Sequence, residues 1–232
     1  MGILRAPLLL NEPSAQVIKG SLKCKASGYL TRTPGSAGNR RKWTWSIWVK
    51  RSAFGSSLMS RFFQAGSTSV SSGNAVLAFY QDSIFFQIDS SSARLQTSSK
   101  FRDIGWYHIV VATDTTQSTS SDRVKIYVNG SQLSTYSTEG YPSQNLDTAV
   151  NNTERHILCA GADSSGNVPD GAFDGYLAQA YQIDGLVLGP GFFGFTDPLT
   201  GTWRPKRLKQ GDLTANDGTT WSSVVTATGS GG

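Results

Sequence analysis

From Ser21 the chain alternates apolar and polar residues. Leu22, Cys24 and Ala26 fall on one side and Lys23 and Lys25 on the other, the period of two expected of a half-buried β-strand. The alternation is cleaner in residues 42–50, where Trp43, Trp45, Ile47 and Val49 share one face and Thr44, Ser46 and Trp48 share the opposite one. Shorter apolar runs at 58–64, 75–80 and 83–88, separated by Ser/Gly-rich stretches, predict three further strands. Residues 106–112 are apolar on both faces, as in a central strand. Residues 123–128 run into Asn129-Gly130, with Ser131, Gln132 and Leu133 beyond. Asn-Gly between two such runs predicts a hairpin closed by a type I′ turn, which needs positive φ at both central residues. Two more strands are expected at 156–161 and 173–183, the second ending at Asp184-Gly185.

Residues 33–39, 114–122, 139–152 and 163–171 are rich in turn-forming residues and read as loops. The first twenty residues lack any period, residues 190–203 read as irregular aromatic coil, and the end of the chain is basic and then rich in Gly, Ser and Thr. The expected organisation is an extended arm at 1–20, one β domain at 21–203 and a tail at 204–232. Many short strands with few helical stretches predict an all-β, two-sheet antiparallel sandwich or jelly roll. Composition narrows the choice. Charged residues make up 16% of the chain, against about 25% in an average domain. Glu occurs only at 12, 139 and 154, which excludes coiled coils and helical bundles. Six Trp and eleven Phe exclude a disordered chain. No run of apolar residues is long enough for a membrane-spanning helix. Leu8, Leu9 and Leu10 are cut off by Asn11, Glu12 and Pro13, too soon for the core of a signal peptide. Cys24 and Cys159 allow at most one disulfide and nothing in the pattern requires it, so two buried free thiols are expected, with a bridge as the alternative.

The net charge of +5 is unevenly spread: residues 1–100 carry 13 Lys/Arg against 3 Asp/Glu, and residues 101–203 carry 4 against 11. A sandwich interleaves early and late strands, so much of this asymmetry should cancel in space. The runs Arg40-Arg41-Lys42 and Arg204-Pro205-Lys206-Arg207 are expected to be solvated turns or contacts to an acidic protein partner, and neither nucleic acid nor a membrane is expected as a partner.

Three segments taken in order resemble the laminin-G-like, concanavalin-A-like jelly-roll family: WTWSIWVKR at 43–51, WYHIVVATD at 106–114 with VKIYVNG at 124–130, and FDGYLAQAYQID at 173–184. The resemblance covers roughly residues 21–185. It implies a core strand, a central strand with its hairpin, and a closing strand that pairs with the first. The flanks YLTRTP at 29–34 and 184–206 resemble structural proteins of tailed bacteriophages, in which such a jelly roll serves as a tail-fibre, head-fibre or capsid-decoration module. Residues 216–223 resemble the opening of further modules in such fibres. What this implies is a virion location, other capsid or tail proteins as partners, and a homo-oligomer. Trimers are common among such fibres.

The family includes glycosidases, which need two carboxylates about 5 Å apart for retaining hydrolysis. The nearest pair, Asp170 and Asp174, spans a Gly-rich turn, and the superfamily's Glu-x-Asp-x-x-Glu pattern is absent, so the chain is expected not to be an enzyme. His108, between Trp106 and Val110, is expected to be a partly buried structural residue, and His156 a surface residue. Family members that bind Ca²⁺ do so at a loop rim, where Asp114, Asp163 and Asp170 would lie, but ordinary turn aspartates are expected there and no cofactor is assigned. For glycan contact the candidates are Tyr136 and Tyr141 with Asn145 as polar partner, while Trp43, Trp45, Trp48 and Trp106 are expected in the core. The leading expectation is a non-enzymatic virion structural protein attached through its termini, with Leu8, Leu9, Leu10, Arg204, Lys206 and Arg207 as assembly contacts. The alternative is an adhesin that recognises a cell-surface glycan.

Overall fold

The computed structural model describes residues 16–25, 28–55, 58–66, 73–89 and 93–208. Two antiparallel sheets stack face to face, as the strand periods predict. Sheet A runs β1 (Leu22–Cys24), β13 (Gly175–Asp184), β3 (Lys42–Arg51), β8 (Trp106–Asp114), β9 (Val124–Val128) and β10 (Ser131–Gln132). Sheet B runs β11 (Tyr136–Glu139), β7 (Arg94–Thr97), β6 (Ser83–Ile88), β5 (Ala75–Tyr80), β4 (Ser60–Ala65), β12 (His156–Leu158) and β2 (Leu30–Arg32). A small third pair, β14 (Gly194–Thr196) with β15 (Trp203–Pro205), follows the two sheets. The closing strand β13 pairs with β3 along its length, as the family resemblance implies.

Alternation decides which side chains meet between the sheets. Trp43, Trp45, Ile47 and Val49 of β3, with Ile109 and Val111 of β8 and Ile126 of β9, face Phe63, Leu77, Phe79, Ile84, Phe86 and Leu95 of sheet B. Trp45 packs on Phe63 with ring centroids 4.8 Å apart, and Phe62 on Phe79 at 5.3 Å. The predicted hairpin between β9 and β10 turns at Asn129 (φ 48°) and Gly130 (φ 84°), the positive values a type I′ turn requires.

Four expectations are corrected. Cys24 and Cys159 are not free thiols: they form a disulfide with Cα atoms 5.4 Å apart, which ties β1 of sheet A to the end of β12 in sheet B. Trp106 is not a core residue but 38% exposed, because β8 begins with that side chain on the outward face. His156 is half-buried rather than on the surface, since β12 lies between β4 and β2. The segment 190–203 is not irregular coil. It opens with a 3-10 turn at Pro190–Phe192 and then forms the β14–β15 hairpin, and it lies on the outer face of sheet A. There Phe193, Leu186 and Leu188 cluster with Val110, Tyr181 and Ile183. The hairpin also crosses position 204, and Lys206 N–H donates to Phe193 O.

Trp203 anchors this added layer. Its indole N–H donates to His108 Nδ1 at 3.0 Å, and its ring lies against the backbones of Gly130 and Gly194, where any Cβ would collide with it. His108 is fully buried, stacked on Trp48 at 4.9 Å, with Nε2 2.9 Å from Ser46 Oγ. Because Nδ1 accepts from Trp203, the imidazole is neutral with its proton on Nε2, donated to Ser46. Burial pushes its pKa down to about 3.

Candidate functional site

The two outer faces are finished differently. That of sheet A is largely closed by residues 185–208. On sheet B, the 159–172 loop covers the β12 and β4 side, where Ala160, Ala162, Val168 and Ala172 pack on Ile157 and Arg61 pairs with Asp170. The stretch over β5, β6 and β7 presents two cross-strand rows. Val76, Gln87 and Arg94 form one; Ala78, Phe85, Gln96 and Thr138 form the other. Tyr80 stands beside Phe85 with ring centroids 6.2 Å apart in an edge contact.

The chemistry of this face is that of an apolar strip topped by amides and a guanidinium. Val76, Ala78 and Phe85 form a small cluster with Met59 and Tyr80 half-buried against it. The Arg94 guanidinium lies 5.0 Å above the Phe85 ring and donates to Gln87 Oε1 at 3.3 Å. Its Nε is buried without a hydrogen-bond partner, a donor left unspent among the described residues. None of these residues was singled out from the sequence. The period of two in 75–80 and 83–88 puts Val76, Ala78, Tyr80, Phe85 and Gln87 on the face opposite the core, which was a usable signal. The partners Arg94 and Gln96, however, come from a four-residue strand whose register only the sheet supplies.

The glycan candidates Tyr136 and Tyr141 are both half-buried with their rings packed against the main core. Tyr136 OH donates to Leu133 O at 2.9 Å and Tyr141 OH to Glu139 Oε1 at 2.8 Å. Burial, with the nearby Glu139 carboxylate, raises both phenol pKa values, that of Tyr136 to about 12. Asn145 is exposed, with φ 61°, and its backbone N–H donates to Thr115 O. The structure thus places the two tyrosines together and Asn145 on a neighbouring turn. Among the assembly candidates, Arg204 pairs with Asp197 at 2.6 Å, Lys206 Nζ lies 3.5 Å from Gly191 O, and Arg207 is exposed. Leu8, Leu9 and Leu10 lie outside the described residues.

The three aspartates considered for Ca²⁺ are engaged within the fold, while Asp174, the other half of the carboxylate pair considered for catalysis, is exposed. Asp114 accepts from Thr116 and Gln117 and pairs with Lys42 at 3.6 Å; Asp163 closes its own turn through Ser165 and Asn167; Asp170 pairs with Arg61. Among the described residues no group of three His, Cys, Asp or Glu is placed to hold a metal ion. The most deeply buried carboxylate among the described residues is Asp82, 2% exposed, which takes Arg51 at 2.9 Å, Arg102 at 2.8 Å and the Gly55 N–H at 2.7 Å. Burial alone would raise its pKa, but these three donors outweigh burial and hold the carboxyl well below the usual range.

Residues 25–182 match the family model described as the concanavalin A-like lectin/glucanases superfamily. No curated protein matches the chain. Solved structures similar to it include a native heptameric SAP-like pentraxin from Limulus polyphemus, at 16% identity and TM-score 0.46, over 66% of this chain and 68% of that one. Domains LG4-5 of the mouse laminin α1 chain align at 11% identity and TM-score 0.49, over 75% of this chain and 45% of that one. The CBM40 of Ruminococcus gnavus IT-sialidase bound to α2,3 sialyllactose aligns at 13% identity and TM-score 0.45, over 72% of this chain and 92% of that one.

Proposed function

From the premise that the chain belongs to the concanavalin A-like lectin/glucanases superfamily, we propose that it is a non-catalytic carbohydrate-recognition module whose ligand lies over β5, β6 and β7 on the outer face of sheet B. The observation that carries this reading is the half-buried set of Tyr80, Gln87, Arg94 and Gln96, held over the buried Val76, Ala78 and Phe85 cluster. A pyranose has an apolar C–H face and a rim of hydroxyls. An aromatic edge suits the first, and side-by-side amide and guanidinium groups suit the second. The non-catalytic part of the reading is supported by where Asp82, Asp114, Asp163 and Asp170 go: these carboxylates are committed to a turn or an ion pair rather than to a facing acid.

The finer reading is that this module is carried on a tailed-bacteriophage particle, as a fibre or decoration protein held to capsid or tail proteins through its termini. Its support is the resemblance of residues 29–34 and 184–206 to such proteins. One further observation favours attachment at a single place: Gln16 N–H donates to Pro205 O, so the arm and the tail leave the sandwich side by side. A homo-oligomer and a virion location belong to the same proposal.

Glycan-array binding of the whole chain tests the first reading. The double variant Arg94→Ala, Gln96→Ala should lose the array signal with little change in melting temperature, and unchanged binding would overturn the assignment of this face. Deleting residues 2–20 tests the second: the sandwich should still fold while incorporation into particles is lost.

A further inference from the structure

The other sheet carries a row that the C-terminal layer leaves uncovered. Lys23 of β1 is registered opposite Tyr176 of β13, Tyr176 opposite Lys50 of β3, and Lys50 opposite Trp106 of β8. All four side chains therefore share one line across the outer face of sheet A, in the order cation, aromatic, cation, aromatic. Lys23 and Trp106 are exposed, Tyr176 and Lys50 half-exposed, and the Lys23 ammonium sits 5.9 Å from the Tyr176 ring centroid. No carboxylate stands in the row. One step further into the sheet, Ala178, Trp48 and His108 are buried, Trp48 stacked on His108 and His108 beneath Trp203.

We infer that this row is a second binding site and that it takes an acidic polysaccharide bearing one carboxylate per disaccharide, lying across the strands. Neighbouring strands are about 4.8 Å apart, so like side chains recur about every 9.6 Å along the row. A sugar chain laid perpendicular to the strands meets one side chain per strand. Its neutral rings then fall on Tyr176 and Trp106 and its uronates on Lys23 and Lys50. Aromatic faces alone would accept a neutral glycan, and lysines alone any polyanion; the strict alternation selects a chain whose charge also alternates. A single-stranded nucleic acid fits less well. It would bring a phosphate with every base, whereas only every second position here is cationic and none is an arginine. The inference is independent of the ligand face assigned to sheet B. Cys24, next to Lys23, is bonded to Cys159, so the short edge strand that carries Lys23 is covalently tied to the end of β12 in the facing sheet, while the backbone ladder sets its register with β13.

Calorimetric titration of the whole chain with a hyaluronan oligosaccharide, in which uronate and neutral sugar alternate, tests this directly. Polygalacturonate, neutral dextran and oligo(dT) are run beside it. Hyaluronan should bind, with affinity falling as salt rises, and more tightly than the other three. Trp106→Ala, whose side chain is exposed, should weaken binding at least tenfold at unchanged melting temperature, and Lys23→Gln with Lys50→Gln should remove most of the salt dependence. The double variant Arg94→Ala, Gln96→Ala should bind hyaluronan as the native chain does, which separates this site from the sheet B face. Absence of hyaluronan binding, binding indifferent to Trp106→Ala and the lysine pair, or equal affinity for oligo(dT) would each overturn the proposal.

Discussion

His108 shows how much one buried side chain can set. It bonds Ser46 on one side and Trp203 on the other and stacks between their strands and the added layer, and burial holds its pKa near 3 instead of the ordinary 6.5. In the unfolded chain the same imidazole takes a proton as pH falls through about 6.5, while the folded form refuses it. The unfolded state therefore binds more protons below that point, and stability is lost on acidification at about 1.4 kcal/mol per pH unit, over the window from about 6.5 down to about 3. His156, also pushed down by burial, adds in the same direction. Urea midpoints measured from pH 7 to pH 5 should fall accordingly, and His108→Gln, which can keep a bond to each neighbour, should flatten most of the slope. A slope unchanged in that variant would mean that other groups carry it.

At the scale of elements, the β9–β10 hairpin and the β14–β15 hairpin are coupled through one glycine. Gly130 is needed twice: for φ 84° in the turn, and because the Trp203 ring occupies the place a Cβ would take. Gly130→Ala should therefore cost more than the roughly 1 kcal/mol of a strained turn alone. It should also free the C-terminal layer, seen as raised binding of a hydrophobic dye and a shifted tryptophan emission, while Asn129→Gly should leave that layer in place. The first hairpin could be read from Asn-Gly between two alternating runs. The second could not. Its strands are three residues long, too short to show a period, and Phe193 and Trp203 are apolar because sheet A lies beneath them, not because of any repeat in their own segment. The same limit hid the Arg94 and Gln96 face, whose members come from different strands.

For the whole molecule, the sandwich was legible because each long strand announces its inward face: Trp43, Trp45, Ile47 and Val49 need a second sheet to cover them, and Phe63, Leu77, Phe79 and Phe86 provide it. The bond between the sheets was not legible. Two cysteines 135 residues apart carry no spacing signal, and only the pairing of β1 with β13 and of β12 with β4 brings them to bonding distance. A cross-link over so long a loop should stabilise the fold by about 4–5 kcal/mol, through restriction of the unfolded chain. Beyond that global effect, its position is specific. The edge strand β1 is three residues long and pairs only with β13, so without the bond it has little to hold it in place. Cys24→Ser with Cys159→Ser should lower the urea midpoint to the same value as the native chain under a dithiol reductant. In the folded state, amide exchange should quicken at Leu22 and Lys23 while Ile109 and Leu77 in the centres of the two sheets stay protected. Because Lys23 belongs to the row on sheet A, hyaluronan affinity should drop in the same variant without loss of binding on the sheet B face. Protection at Lys23 equal to that of the native chain would show that β1 is held by its hydrogen bonds to β13 alone.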